Sequence, residues 1–143
     1  MATTFSATKT GGAQTASAGI GDGGTAKTMV CSYTWSAALV INDLIESPPI
    51  QAGSTILDAM IYTDSMGAAA VTLDLGYGTD PDYFLAASTI GVAGGPARAS
   101  AAAARPLLLT ATDTIDLLVK VAPTTPTTSG TVTLIVTYLP PNA

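Results

Sequence analysis

Hydrophobic and polar side chains alternate along much of the chain from Lys27 onward. In the first such segment, Met29, Cys31, Tyr33 and Trp35 fall on one face, and the residues between them fall on the other. A period of two residues is typical of a β-strand with one buried face. We therefore expect a half-buried strand that ends at Trp35.

The segment 42–64 organises the middle of the chain. Pro48 and Pro49 fix φ and donate no backbone hydrogen bond, so strand pairing should stop at Pro48. Gly53 supplies a turn. Both sets of alternate residues from Ile56 to Tyr62 are largely apolar, which predicts a strand buried on both faces. The order is a short strand, a stiff corner, a glycine turn and a longer strand.

Later alternation predicts strands over 71–77, 115–121 and 132–138, with a short apolar run at 107–110. The last two strands flank a segment rich in threonine and proline at 123–130, and we expect them to form a β-hairpin with a long tip.

The segment 78–104 lacks regular alternation. Asp80 is suited to cap a short helix that has Pro81 at its first position. Residues 97–104 are rich in alanine, but Pro106 ends any helix there, and a loop or an edge segment is equally compatible.

About seven or eight strands without a long helix predict an all-β fold, an antiparallel β-sandwich, with jelly-roll topology preferred. At 143 residues the chain is long enough for one domain. We place the sandwich domain at 26–143.

Residues 1–25 are rich in Gly, Ala, Ser and Thr and show neither strand nor helix periodicity. They predict either a disordered tail or an extended N-terminal arm that becomes ordered against a neighbouring subunit. Phe5 and Ile20 are the apolar residues that could anchor such an arm. If the arm lies outside the fold, deleting residues 2–24 should leave the thermal transition nearly unchanged.

Charged residues make up 10% of the chain, and the formal net charge is −5, against about 25% charged residues in an ordinary soluble domain. The five basic residues are spread along the sequence, which argues against nucleic acid as a partner. No apolar run approaches the roughly 18 residues of a membrane span, so no membrane association is expected. Low charge fits a protein covered by partners, although the abundant Thr and Ser could also solvate its surface.

The chain contains no histidine and one cysteine. The absence of histidine removes the commonest general base and the usual catalytic triads, and one cysteine allows no intrachain disulfide. We interpret Cys31 as a buried apolar residue. The first residues show no signal-peptide pattern, so synthesis in a host cytoplasm is expected.

Two groups of carboxylates remain as candidates for chemistry. Asp80 and Asp82 could bind calcium or, more remotely, support hydrolysis, but a helix cap is the stronger explanation for Asp80. Asp113 and Asp116 fit a turn whose carboxylate accepts backbone hydrogen bonds. We expect neither catalysis nor a cofactor.

Several segments together resemble small proteins encoded in the head-gene clusters of tailed bacteriophages and prophages. They are NDLIE at 42–46, PIQAG at 49–53, ILD at 56–58, LDLGYGTDPDYF at 73–84, DTID at 113–116 and GTVTL at 130–134. The resemblance covers about residues 26–139 and is to head decoration, or cement, proteins. It implies a jelly-roll-like β-sandwich on the outside of the virion capsid.

The resemblance further implies the major capsid protein as partner, self-association as a homotrimer, and stabilisation of the head, without catalytic residues. Two alternatives remain open: a head fibre or tail structural component, and a carbohydrate-binding β-sandwich module. The last would be favoured if Trp35, Tyr77 and Tyr83 shared one exposed face.

Overall fold

The computed structural model describes residues 3–6, 8–9, 26–101, 104 and 106–141. These residues form two packed β-sheets, a small two-stranded ribbon and one short helix. The strands are β1 (Thr4–Ser6), β2 (Thr8–Lys9), β3 (Lys27–Trp35), β4 (Leu44–Glu46), β5 (Thr55–Thr63), β6 (Gly67–Ala68), β7 (Thr72–Tyr77), β8 (Asp80–Ser88), β9 (Gly95–Arg98), β10 (Leu107–Leu108), β11 (Ile115–Val121), β12 (Thr125–Pro126) and β13 (Gly130–Leu139), and the helix is α1 (Ile90–Ala93).

The strand order confirms the jelly roll. The front sheet runs β1-β4-β11-β7-β8, and the back sheet runs β10-β5-β13-β3-β2 with β9 also beside β5. When β1, β2 and β10 are left out, the front sheet has the order β4-β11-β7-β8 and packs on a back sheet of order β3-β13-β5-β9. These are the two four-stranded sheets of a jelly roll. Among the described pairings only β1 with β4 is parallel.

The core lies between the inner faces of the two sheets. As the alternation predicts, Met29, Cys31 and Trp35 of β3 are buried, and Tyr33 is half-buried. Cys31 is fully enclosed, and burial raises the pKa of its thiol to about 11. The interpretation of Cys31 as an apolar core residue is confirmed.

The proline corner interrupts strand pairing where the sequence predicts. β4 ends at Glu46. Before the prolines, the Ser47 amide still donates to the carbonyl of Ile115 at 2.9 Å, and after them the Ile50 amide donates to that of Asp113 at 2.7 Å. Pro48 and Pro49 therefore interrupt an otherwise continuous pairing of residues 47–50 with residues 113–115. Gly53 then turns the chain with φ of 87°.

The prediction that β5 is buried on both faces is wrong. Leu57 is 38% exposed and Tyr62 is 56% exposed. The back sheet is covered on its inner face only, and a register shift in its pairing with β13 lets Ile56 and Ala59 both point inward. Apolar residues on both faces therefore did not indicate complete burial.

The predicted hairpin of 115–121 with 132–138 is also wrong. β11 lies between β4 and β7 in the front sheet, whereas β13 lies between β5 and β3 in the back sheet. Their connection crosses from one sheet to the other, and its residues Thr125–Pro126 pair with β6. Two adjacent amphipathic strands form a sandwich corner as readily as a hairpin when each sheet offers a better partner.

The predicted helix cap at Asp80 is a strand start. Residues Asp80–Ser88 form β8 at the edge of the front sheet, where Pro81 is tolerated because an edge strand has one unpaired side. Gly76 makes this turn possible, since a Cβ there would lie 2.4 Å from the carbonyl carbon of Pro81. Within the described ranges no helix is long and apolar enough to cross a membrane.

Candidate interaction surfaces

The candidate calcium ligands Asp80 and Asp82 lie close together at the start of β8. Their side chains share a hydrogen bond, which, with partial desolvation and the charge of Asp82, raises the pKa of Asp80 above its ordinary value. Such a pair can hold a proton between its carboxyl groups. In the part of the chain that the structure describes, no three or more His, Cys, Asp or Glu side chains are grouped to hold a metal ion. The expectation of no metal site, with Asp80 and Asp82 as weak calcium candidates, stays a prediction.

The second carboxylate pair has the structural role that the sequence suggested for Asp113. Its carboxylate accepts hydrogen bonds from the amides of Thr114 at 2.8 Å and Gly78 at 3.3 Å. Asp116 is 6% exposed and accepts a hydrogen bond of 2.6 Å from the Thr114 hydroxyl. Burial raises the pKa of Asp116 to about 6, the Thr114 hydrogen bond opposes that rise, and the charges of Glu46 and Asp113 add to it.

Both carboxylate pairs lie at the same end of the front sheet, together with Glu46. Strand register places Asp116 opposite Glu46 and Ile115 opposite Tyr77, which in turn faces Asp80. We call this the acidic end; its carboxylates are those of Glu46, Asp80, Asp82, Asp113 and Asp116.

The aromatic residues do not form a shared exposed platform. Trp35 is 1% exposed and lies at the far end of the back sheet. Tyr77 and Tyr83 contact each other edge to face with ring centroids 5.6 Å apart, and Tyr83 contacts Phe84 at 4.9 Å. The arrangement that would favour a carbohydrate-binding module is therefore not found.

The first residues of the chain contact the sandwich itself. Thr4–Ser6 pair in parallel with Leu44–Glu46 of β4, and Thr8–Lys9 pair with β3. The half-buried ring of Phe5 stacks on Tyr33 with centroids 4.7 Å apart. Ile20 lies outside the described residues. Contact of Phe5 and Ile20 with a neighbouring subunit stays a prediction, as does the boundary at residue 25.

Four connections between the sheets meet at the end of the sandwich opposite the acidic end. At this end of the back sheet, Trp35 pairs with Gly130 and Thr63 pairs with Gly95. At the same end of the front sheet, Thr72 pairs with Val121. We call it the charge-poor end; it consists of residues 36–43, 64–71, 89–94 and 122–129, with Val121 at its margin.

Exposed apolar side chains concentrate at the charge-poor end. They are Val40, Ile41, Val92 and Val121, with exposures of 41%, 54%, 36% and 39%, together with the exposed Ala68, Ala69, Ala70, Ala93 and Pro126. The four ranges contain two charged residues, the buried Asp43 and the exposed Asp64.

Sequence reasoning missed this surface because its parts are separated by 17 or more residues. Each range alone resembles an ordinary loop, and only the jelly-roll topology brings the four together. The available signal was the absence of lysine, arginine and aromatic residues from every one of them.

No protein-family model and no curated protein matches the sequence. The fold is similar to that of a chain in the capsid asymmetric unit of cyanophage Pam1, with a TM-score of 0.74 and 23% identity over 90% of this chain and 94% of that chain. A chain in the capsid of Ralstonia phage GP4 gives 0.65 and 24% over 82% and 86%. A chain in the acid-stable capsid of Helicobacter pylori bacteriophage KHP30 gives 0.54 and 17% over 82% and 94%. At these identities the likeness establishes a shared fold.

Proposed function

We propose that the chain is a structural protein of a tailed-phage head that decorates the outside of the capsid and stabilises it. The observation that carries this proposal is the fold likeness to chains of three phage capsids, which spans at least 82% of this chain and 86% of each of those chains. A fold likeness over most of both chains is expected when two proteins are built as the same single domain.

The use of the buried carboxylates supports a structural role. Asp43 accepts hydrogen bonds from the amides of Thr3 at 2.9 Å and Val40 at 2.8 Å. Asp74 accepts one from the amide of Ala87 and pairs with Lys120. These carboxylates stabilise backbone segments of the fold, which is a structural role and not a catalytic one.

The partners in this proposal are the major capsid protein and further copies of the chain, arranged as a homotrimer on the virion surface. Support comes from the composition, with 10% charged residues, and from β8, a nine-residue strand at the edge of the front sheet. Natural proteins usually blunt such edges with charges or cover them with a partner. Lateral packing of copies would cover this one.

The test uses heads assembled from the head genes that accompany this gene, with this gene deleted. Purified protein is added, free protein is removed by sedimentation through a cushion, and occupancy is measured. We expect saturable binding and a higher disruption temperature of the heads. Heads made with the gene present serve as the control, because their sites should already be filled. Absence of binding, or recovery of the protein only with tails, would contradict the proposal.

A further inference from the structure

We propose that the charge-poor end is the surface through which the chain docks on the protein shell of the head. This inference rests on the proposed function and assigns that function to a particular surface.

Ile41 is the most exposed of the four large apolar residues at this end. It lies at the second position of a turn that the Asp43 amide closes by donating to the Val40 carbonyl at 3.1 Å, and Asn42 occupies the third position with φ of 68°. The Asn42 amide also donates to the carbonyl of Val119 at 2.8 Å, which fastens the turn to β11. A large apolar side chain is thus held outward on a fixed backbone.

The other loops of this end are fastened to one another. The amide of Met66 donates to the carbonyl of Gly91 at 2.8 Å, and the amide of Thr127 donates to that of Met66 at 2.9 Å. The Ser65 hydroxyl donates to the carbonyl of Val92 at 2.7 Å. The connections 64–71, 89–94 and 122–129 therefore form one rigid surface. A pre-organised surface loses little conformational entropy when a partner covers it.

Unfavourable backbone conformations also occur here. Asn42, Ala69 and Ala70 have φ of 68°, 55° and 60°. Alanine gains nothing from a left-handed backbone, and such residues persist where the surrounding structure imposes them, often at binding sites. The exposed Ala69 and Ala70 contribute small side chains that let a partner approach closely.

The charge distribution favours an uncharged protein surface as the occupant. Asp64 is the one exposed charge in the four ranges, and its carboxylate already accepts a hydrogen bond of 2.9 Å from the Thr131 amide. Covering this end with such a partner therefore buries little unpaired charge. A membrane would call for basic and aromatic residues, and a nucleic acid would call for basic residues; the four ranges contain neither kind. Docking by this end leaves the acidic end, with Glu46, Asp80 and Asp82 among its carboxylates, facing solvent.

The experiment compares two exposed apolar residues at opposite ends of the sandwich. Ile41→Asp introduces a charge at the charge-poor end, and Leu108→Asp introduces the same charge at a residue of similar exposure, 58%, paired with Thr55 at the start of β5. Binding to heads lacking this chain is measured for both variants and for the wild type. Val92→Asp provides a second variant should Ile41→Asp fail to fold. Thermal transitions should stay within about 2 °C of the wild type, because exposed substitutions perturb stability little.

We expect Ile41→Asp and Val92→Asp each to weaken binding at least about tenfold, with Leu108→Asp unchanged. Equal binding by all three variants would overturn the docking surface and leave the proposed function intact. Failure of the wild type to bind would overturn both. If Ile41→Asp instead dissociates an oligomer of the free protein, this end joins copies of the chain and the docking proposal is wrong.

Discussion

Gly130 lies directly opposite Trp35 across β13 and β3, and the indole ring fills the space where a side chain at position 130 would be. A Cβ at Gly130 would lie 2.2 Å from Cζ2 of Trp35 and 2.5 Å from Cη2. Trp35 is 1% exposed and is held between the strands and the core. The missing side chain of Gly130 is therefore part of the packing around the only tryptophan.

We expect Gly130→Ala to lower the free energy of unfolding by about 1–3 kcal/mol, because the added methyl group must displace a buried ring. Ser129→Ala, at the exposed neighbouring position, is the control and should change stability by less than about 0.5 kcal/mol. Urea titration followed by tryptophan fluorescence measures both. An unchanged midpoint for Gly130→Ala would mean that the indole does not occupy this position in solution.

The buried carboxyl group of Asp116 makes stability depend on pH. Its pKa is about 6 in the folded chain, above the ordinary 3.8, so the folded state binds the proton more tightly than the unfolded state. This stabilisation is complete below about pH 4 and is lost as the pH rises through 6; the full difference corresponds to about 3 kcal/mol. Asp116→Asn should flatten the profile between pH 4 and 7, and an identical profile in that variant would contradict the assignment.

Two ion pairs of different burial should respond differently to truncation. Asp74 has 3% of its side chain exposed, pairs with Lys120 at 3.1 Å and accepts the Ala87 amide. Asp58 and Arg98 approach more closely, at 2.6 Å, but Arg98 is 71% exposed. We expect Asp74→Ala to cost about 1–3 kcal/mol, since it leaves the Ala87 amide and Lys120 without their shared acceptor. Arg98→Ala should have the smaller effect, because exposed ion pairs contribute little to stability. Chemical denaturation measures both, and a larger effect for Arg98→Ala would refute this ranking.

The regular parts of the fold could be predicted because one physical signal controlled them. The alternation of apolar and polar residues predicts β3. Pro48 and Pro49 have no backbone N–H to donate, which predicts that β4 ends just before them, as it does at Glu46. The hairpin of β11 with β13 could not be excluded in advance, because alternation gives a strand its two faces but does not choose its neighbours. Asp80 and Pro81 favoured a helix locally, but pairing of β8 with β7 decided the outcome.

The interaction surfaces depended still more on tertiary structure. Ile41 and Val92 are 51 residues apart in sequence, and they belong to one end of the molecule only because four connections cross between the sheets there. The sequence predicts Phe5 as an anchor for a neighbouring subunit. Its stacking on Tyr33 of the same chain depends on the parallel pairing of β1 with β4, which no local pattern indicates.

The contact of Phe5 with Tyr33 leads to a prediction that differs from the expectation for a free arm. Stacked rings contribute about 0.5–1.5 kcal/mol beyond the area they bury, so Phe5→Ala should lower the thermal transition of the isolated protein measurably. Tyr33→Ala should do the same, and the double variant should cost less than the sum of the two, because the shared contact is lost only once. Calorimetry of the four proteins gives this coupling. Strict additivity, with no effect of Phe5→Ala alone, would mean that the first residues do not pack on the sandwich in solution.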